Sequence, residues 1–513
     1  MEFSYFSRFH ESWFCIFLWS SILILVILFL PFFIFYSLRR RLSCNCEICQ
    51  AYVKSKWADQ FTNLCDWYTY ILQNSPSKTI HIHVLNNTIT ANPDNVEYIL
   101  RTRFDNFPKG KPFSSILGDF LGRGIFNVDG DLWRFQKKMA SLELGRVSVR
   151  AYALEVVNKE IDSRLITLLE LASGWEDELD LQTFFRQLSF DVICRFLFGL
   201  DPGSLELSLP LSKFAVAFDL ASKLSAERAL ELSPIVWKIR RLLNIGSEKE
   251  LRQAIKIVNM LAQEVIRKKR DMGFLQQNDL LSRFMSSGAN IDEKFLRDIV
   301  ISFLLAGRDT VASALTSFFR LVAHHPEVEA SLLAEADKII GENVELASYE
   351  QIRELHYLHA AIYESMRLYP PVQFDSKYCL QDDLLPDGSF VKSGTRVTYH
   401  PYAMGRMEEI WGSDCLKFKP ERWLKDGIFL QQDPFRYPVF QAGPRVCLGK
   451  ELALVELKIV AISVLLKFHV KLAESQDSVP RFSPGLTSTF QDGLQVLIRP
   501  RSTTYLTDQL KQP

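Results

Sequence analysis

Phe440-Gln441-Ala442-Gly443-Pro444-Arg445-Val446-Cys447-Leu448-Gly449 is the stretch from which the rest of the chain can be read. It sets one thiol in a tight loop between glycines, in the pattern F-x-x-G-x-R-x-C-x-G. The apolar run that follows predicts a helix from Leu448 to about Leu466. A thiol at a helix start is favoured as thiolate by the helix dipole. Glycines on either side let backbone N–H groups approach the sulfur, which would tune it as a metal ligand. Phe440 can shield the sulfur from water, and Arg445 can hold a carboxylate on a cofactor. A lone Cys before a helix is ordinarily a small core residue. The fixed positions around Cys447 set it apart from that case.

Four more strings lie outward from this loop. Ala306-Gly307-Arg308-Asp309-Thr310 falls inside a long apolar helix expected from about Leu296 to Ala323. Gly inside a helix costs roughly 1 kcal/mol relative to Ala, and the expected reason is a ligand approaching the backbone. Ala306 and Thr310 share a helix face, and Asp309 with Thr310 makes an acid–alcohol pair. The alternative is a Gly-interrupted core helix with an exposed Arg–Asp pair. In Tyr363-Glu364-Ser365-Met366-Arg367 the acid and base are spaced to pair on a helix. Pro420-Glu421-Arg422-Trp423 and Trp133-Arg134-Phe135-Gln136-Lys137 complete the set, with Lys138 following directly.

Taken together, these strings resemble the haem-thiolate monooxygenases of the cytochrome P-450 superfamily over about residues 60–500. The resemblance implies a mainly α fold with minor β and a bound haem b (iron protoporphyrin IX). Cys447 is then the axial iron ligand, a thiolate that favours O–O cleavage, in a loop shaped by Phe440, Gly443 and Gly449. Asp309 and Thr310 deliver protons during dioxygen activation. Trp133, Lys137 and Arg445 hold the haem, with Lys138 a second candidate for the propionate contact. Glu364, Arg367 and Arg422 form a buried ion-pair network that is structural, not catalytic.

Longer stretches narrow the likeness. Pro108-Lys109-Gly110-Lys111-Pro112-Phe113, Gly122-Arg123-Gly124-Ile125-Phe126-Asn127 and Pro370-Pro371-Val372-Gln373-Phe374-Asp375-Ser376-Lys377 are similar to the plant ω-hydroxylase clan, family ninety-four. Cys44-Asn45-Cys46-Glu47-Ile48-Cys49 and Ser141-Leu142-Glu143-Leu144-Gly145 are similar to its C subfamily. That likeness implies ω-oxidation of jasmonoyl-isoleucine through the 12-hydroxy to the 12-carboxy product, which inactivates the hormone. Fatty acid ω-hydroxylation of the cutin or suberin type is the alternative.

The substrate pocket is expected from residues 113–126, 371–378 and 485–490. Its lining would include Phe113, Ile116, Leu117, Phe120, Phe126, Ala306, Val372, Phe374, Leu486 and Phe490. Few cations accompany these apolar residues, which suits an amphipathic carboxylate with its chain end over the iron. Oxidising a terminal C–H over weaker internal ones requires a pocket that positions the end. Arg123 and Lys377 are candidates to grip the carboxylate.

The 513 residues carry 60 basic and 60 acidic side chains. This balance gives no reason to propose nucleic acid as a partner. Length suggests several domains, but no internal repeat or long linker divides the body. The expected plan is a transmembrane anchor at 13–38, a linker at 39–60, one catalytic domain at 61–500 and a tail at 501–513. Trp13 to Leu38 has no charged side chain and is long enough to cross a bilayer. Arg39, Arg40 and Arg41 follow at once, which predicts a cytosolic body on a single-pass endoplasmic reticulum anchor. Many membrane-bound relatives carry a Pro-rich hinge here, and this chain has basic residues and a Cys cluster instead. Three of its nine cysteines, Cys44, Cys46 and Cys49, can ligate zinc. No second C-x-x-C or His pair stands nearby in sequence, so free thiols are expected, with palmitoylation open.

The chain lacks a G-x-G-x-x-G fingerprint, since Gly122-x-Gly124 is followed by Asn127. NADPH electrons are therefore expected through a separate flavoprotein reductase, which Lys137 and Lys138 would help to dock. Two other classes compete with the O2-dependent monooxygenase. A hydroperoxide-rearranging haem-thiolate isomerase or dehydratase would typically lack the acid–alcohol pair. A non-enzymatic haem-binding protein would have no use for it.

Overall fold

The apolar run around Ala306 becomes helix Glu293–His324 in the computed structural model. The model describes residues 44–501 apart from 175–177, 200–212, 273–278, 287–291, 342–347 and 477. The expected anchor at 13–38 and residues 502–513 lie outside the described residues. Asp292 caps the long helix by accepting from the Phe295 amide at 2.6 Å, and Pro326 follows its end. Among the described residues it is the one helix long and apolar enough to cross a membrane, yet most of it is buried inside the protein. A soluble core helix passes the same test of length and composition.

Helices dominate. In chain order the principal elements are α1 (Glu47–Val53), β1 (Thr79–Ile82), β2 (Asn87–Thr90), α2 (Gly110–Leu121), α3 (Gly130–Leu144) and β3 (Leu179–Asp180). Then come α4 (Leu181–Phe198), α5 (Lys213–Leu230), α6 (Glu293–His324), α7 (His356–Leu368), β4 (Asp375–Tyr378) and β5 (Arg396–Tyr399). Helix α8 (Lys450–Lys467), β6 (Phe468–Leu472) and β7 (Gln495–Pro500) close the chain. This matches the expected mainly α fold with a minor β part.

The first hairpin turns at Asn86, which adopts a left-handed conformation that Asn tolerates. Its strands pair antiparallel from Thr79↔Thr90 to Ile82↔Asn87. β5 then adds in parallel to β2, and β4 pairs antiparallel with β5, giving the order β1-β2-β5-β4. Asn92 caps the next helix by accepting from the Asp94 amide, with Pro93 at its first position. Near the end of the chain, Gln491-Asp492-Gly493 carries a turn signal that predicts another hairpin, and the structure differs. The turn is present, with Gly493 at positive φ, but β7 leaves it to pair with β6 and β3. A turn signal is local, whereas the strand partner is chosen by long-range packing.

Residues 44–60, expected as linker, hold helix α1 and a short 3-10 turn, Lys56–Asp59. Cys49 is fully buried in the main core beside the β1–β2 hairpin residues Ile82 and Val84. The segment is therefore part of the packed body.

Two apolar cores meet along α6. Phe295 to Leu305 belongs to one, with Phe120, Phe190 and Phe218. Val311 to Val322 belongs to the other, with Phe185, Leu358 and Val460. Residues 306–310 lie between them, and there the cavity opens.

Candidate active site

A cavity of about 720 Å³ lies against the middle of α6. Ala306, Gly307 and Thr310 line it from the helix, and Phe440, Arg445, Cys447 and Gly449 from the loop before α8. The Cys447 amide donates to the Phe440 carbonyl at 2.8 Å, which closes the loop. Gly443 has a positive φ, and a Cβ there would overlap the Leu100 carbonyl. A Cβ on Gly449 would meet no atom within 4 Å, so this glycine leaves open space beside the sulfur.

Cys447 is exposed to the cavity while enclosed by the protein. Burial pushes its thiol up, although the Gly449 and Lys450 amides and the Lys450 ammonium pull it down. The helix-start effect expected from the sequence is therefore real in direction and smaller than the desolvation of a buried anion. A metal cation bonded to the sulfur would supply the missing stabilisation.

A second cluster on the cavity wall is cationic. Trp133 and Lys137 come from α3, and the Arg445 guanidinium lies 4.5 Å over the Trp133 ring. Lys137 donates to the Pro444 carbonyl. Arg445 donates to the Val128 carbonyl at 2.8 Å and to Asp129 at 2.7 Å. Burial and the neighbouring Arg445 hold the Lys137 ammonium below its usual range. Burial likewise lowers Arg445 despite Asp129. Two half-buried cations, one of them lowered by the other, would be relieved by an anion placed between them. Open space beside a cavity-facing thiol, an apolar wall and a cation pair fit a haem with its propionates. Lys138, the other candidate from the sequence, is exposed instead.

Thr310 and Asp309 diverge. The Thr310 hydroxyl faces the cavity and donates to the Ala306 carbonyl at 2.6 Å. Asp309 does not line the cavity. It accepts from Arg308 at 3.0 Å, and Arg308 also pairs with Asp219 on α5, which Arg186 on α4 reaches at 2.8 Å. The alternative of an exposed Arg–Asp pair is overturned, since Arg308 is 2% and Asp309 8% exposed. Burial pushes the Asp309 carboxyl up against the pull of Arg308. Asp219 and Arg186 are partly open to solvent, so the chain of groups leads from surface to helix. Gly307 was expected to admit a ligand. A Cβ there would overlap Ile193 of α4, so helix packing explains it.

Behind the loop, Glu364 accepts from five donors. Arg367 binds it at 2.7 and 2.8 Å, Trp423 at 2.9 Å, the Lys419 amide at 3.0 Å and Arg422 at 3.3 Å. Glu364 and Arg367 are fully buried, and Arg422 turns its other side to Asp414 at 2.9 Å.

The expected pocket residues Phe113, Phe126, Val372, Phe374 and Leu486 all line the cavity, as do Ile116 and Leu117. Phe120 and Phe490 do not. Phe120 packs edge-on to Phe218, and the buried Phe490 lies tilted against Phe482 with ring centroids 5.7 Å apart. Arg123 is not on the cavity wall; its amide donates to Asp298 at 2.8 Å. Lys377 is on the wall, but Asp375 holds it at 3.1 Å, and Lys109 and Tyr399 share that carboxylate. Burial brings the Lys377 amine down to about 7.

Sequence reasoning missed Asp375 as the hub of this cluster, although both lysines lie in quoted motifs. It also missed Arg396, a cavity-lining cation at the start of β5 that donates to the Ala229 carbonyl at 3.2 Å. Among the described residues no carboxylate pairs with it.

Residues 70–497 match the family model for Cytochrome P450. The chain is 56% identical to Cytochrome P450 94C1 of Arabidopsis thaliana, covering 90% of this chain and 94% of that one. It is 45% identical to Cytochrome P450 94B1 of Arabidopsis thaliana, covering 85% and 88%. To Cytochrome P450 94A1 of Vicia sativa it is 43% identical, covering 85% and 87%. With the thiol loop, the cavity-lining stretch Ala306–Thr310 and this coverage, the chain belongs to the plant cytochrome P450 family ninety-four, C subfamily, and is a haem-dependent monooxygenase that uses O2 and electrons from a redox partner.

Proposed function

We propose that this enzyme hydroxylates the ω-carbon of an amphipathic carboxylate and oxidises the alcohol further to a second carboxylate, with jasmonoyl-isoleucine as the substrate. Each hydroxylation takes R–CH3, O2, NADPH and a proton to R–CH2OH, water and NADP+. The observation that carries the reading is the cavity itself. Phe113, Val372, Phe374 and Leu486 give it an apolar wall, and Arg396 adds a cation without a carboxylate partner among the described residues. An oily chain end fits the first feature and an anionic end the second. Arg396 replaces Arg123 and Lys377 as the carboxylate partner, because Arg123 is off the wall and Lys377 is already paired.

Haem bound through a cysteine sulfur supplies electron-rich iron that favours O–O cleavage. In our reading Cys447 provides that sulfur, and Phe440, Gly443 and Gly449 shape its loop. Trp133, Lys137 and Arg445 hold the propionates. Thr310 orients a proton at the cavity face, and the Asp309 carboxyl, positioned by a permanently charged Arg308, is the group that takes up and gives back a proton. Glu364, Arg367 and Arg422 keep the loop in place and touch no reactant. The body faces the cytosol from an endoplasmic reticulum anchor at 13–38, where a flavoprotein NADPH reductase docks near Lys138.

The test is product analysis with reductase, NADPH, jasmonoyl-isoleucine and medium-chain fatty acids side by side. The expected result is 12-hydroxy- and then 12-carboxy-jasmonoyl-isoleucine at the higher turnover. Fatty acids consumed in preference would shift the assignment to lipid ω-hydroxylation. Turnover of a hydroperoxide without NADPH would overturn monooxygenation in favour of rearrangement.

A further inference from the structure

The thiols at the start of the described chain gain a partner that sequence spacing does not reveal. In sequence, Cys44, Cys46 and Cys49 have no second C-x-x-C or His pair nearby to supply a fourth ligand. The fold brings one. His83 follows β1 directly, and its ring meets the three sulfurs so that all four ligand atoms lie within 4.8 Å of one another. We propose that Cys44, Cys46, Cys49 and His83 bind a structural zinc ion.

Three kinds of observation support the site. The ligand set is Cys3His, a common composition for structural zinc, and soft thiolates with one imidazole disfavour Mg2+ and Ca2+. The spacing is compact already. A tetrahedron with Zn–S bonds of about 2.3 Å has edges near 3.8 Å, so the ligands need to close by only about 1 Å. Cys44 and Cys46 already stand 3.4 Å apart.

The surroundings also hold the ligands in place. The Gln50 amide donates to the Cys46 carbonyl at 3.0 Å, and the Gln50 side chain donates to the Cys44 carbonyl at 3.0 Å. These two bonds curl the Cys44–Cys46 segment over the first turn of α1. The His83 ring packs edge-on to His81, and His81 is anchored to Thr88 at 2.9 Å. Cys49 is fully buried while Cys46 and His83 are exposed, so the metal enters from solvent and closes onto the body.

Binding releases three thiol protons to solvent and leaves a site of net charge −1, with the imidazole neutral. No oxidant is needed. The zinc clips residues 44–49 to the β1–β2 hairpin, immediately after the chain leaves the uncharged stretch 13–38 and its three arginines. That position lets it fix how the body departs from the segment before it, where many relatives use a proline-rich hinge.

Metal analysis of the full-length chain, purified in detergent under reducing conditions and dialysed against EDTA, tests the proposal. The expected result is one zinc per chain beside one iron. Cys46→Ser and His83→Ala should each lose most of the zinc and keep the iron and the thiolate-type CO band, which reports the folded haem site. His83→Cys should restore zinc. Cobalt added to metal-stripped protein should give sulfur-to-cobalt charge-transfer absorption that the Cys46→Ser variant lacks. A zinc-free chain after growth in zinc, or a Cys44–Cys46 disulfide in reduced preparations, would overturn the site. So would zinc that survives in the Cys46→Ser, His83→Ala double variant. Iron and zinc are counted separately, so failure here leaves the haem assignment standing.

Discussion

The Thr310 hydroxyl donates to the Ala306 carbonyl at 2.6 Å, one turn back on α6. With its proton committed there, the oxygen presents lone pairs to the cavity and accepts from whatever donor arrives. Asp309, next in sequence, looks the other way into a buried ion chain. The hydroxyl thus lines the cavity and the acid turns away from it, and the proposed function gives the cavity-side proton contact to Thr310. Thr310→Ala removes the acceptor and leaves the apolar wall. Product formed per NADPH should fall by about tenfold, equivalent to about 1.4 kcal/mol lost from the productive branch, while the CO band persists. Thr310→Ser should recover most of the coupling. The measurement is product against NADPH consumed, and equal coupling in wild type and Thr310→Ala would remove Thr310 from the proton path.

Arg396 stands on the cavity wall with a backbone carbonyl, Ala229, as its acceptor and no paired carboxylate among the described residues. A charge-assisted hydrogen bond contributes roughly 1.5–3 kcal/mol. Arg396→Gln should therefore raise KM for a carboxylate substrate by about 10- to 100-fold. The methyl ester of the same substrate should show little difference between the two proteins. Steady-state kinetics on acid and ester decide it. An unchanged KM for the acid would place the anionic end elsewhere.

The buried Glu364 gathers two arginines, an indole and an amide, so its charge is compensated on every side. Glu364→Gln keeps the shape, removes the charge and aims an NH2 group at donors. Breaking one partner of a buried pair costs about 3–5 kcal/mol. The expected outcome is lower thermal stability and a smaller fraction of chain with the thiolate-type CO band. Thermal unfolding with the CO spectrum reads both. A loss under about 1 kcal/mol, the size of an exposed pair, would show that the network bears little on the loop.

How much of this was legible depended on sequence distance. The thiol loop and the Ala306–Thr310 string are local patterns, so Cys447, Gly443 and Thr310 could be picked out before any fold was known. The long helix was placed within a few residues at both ends, because its apolar run and Pro326 are local too. Contacts across hundreds of residues left no such trace. Lys109 meets Asp375 only once α2 and β4 pack together. Gly405 reads as an ordinary turn residue, yet a Cβ there would overlap the Arg367 carbonyl. His83 joins the cysteines through the β1–β2 hairpin, and a search for local ligand spacing misses it for that reason. The direction of Asp309 was equally hidden, since adjacency to Thr310 says nothing about which helix face is wet.

Two histidines enclosed by the fold, His400 buried and His359 half-buried, lower stability in acid. His359 stacks on Phe429 with ring centroids 4.0 Å apart, and burial, aided by Lys458 and Lys450, brings it down to about 3. His400 accepts from the Ala403 amide at 3.2 Å and is likewise brought down to about 3 by burial and Arg406. Below pH 6.5 the unfolded chain takes up protons that the folded chain refuses. The contribution of each neutral histidine is thus complete above 6.5 and is lost as pH falls toward 3, by about 1.4 kcal/mol per pH unit. His359→Phe keeps the stacking and removes the titration. Its stability should decline less between pH 6.5 and 5 than that of the wild type, by about one proton's worth of slope. Thermal unfolding across that window measures the difference. Parallel curves would mean that His359 accepts a proton in the folded state.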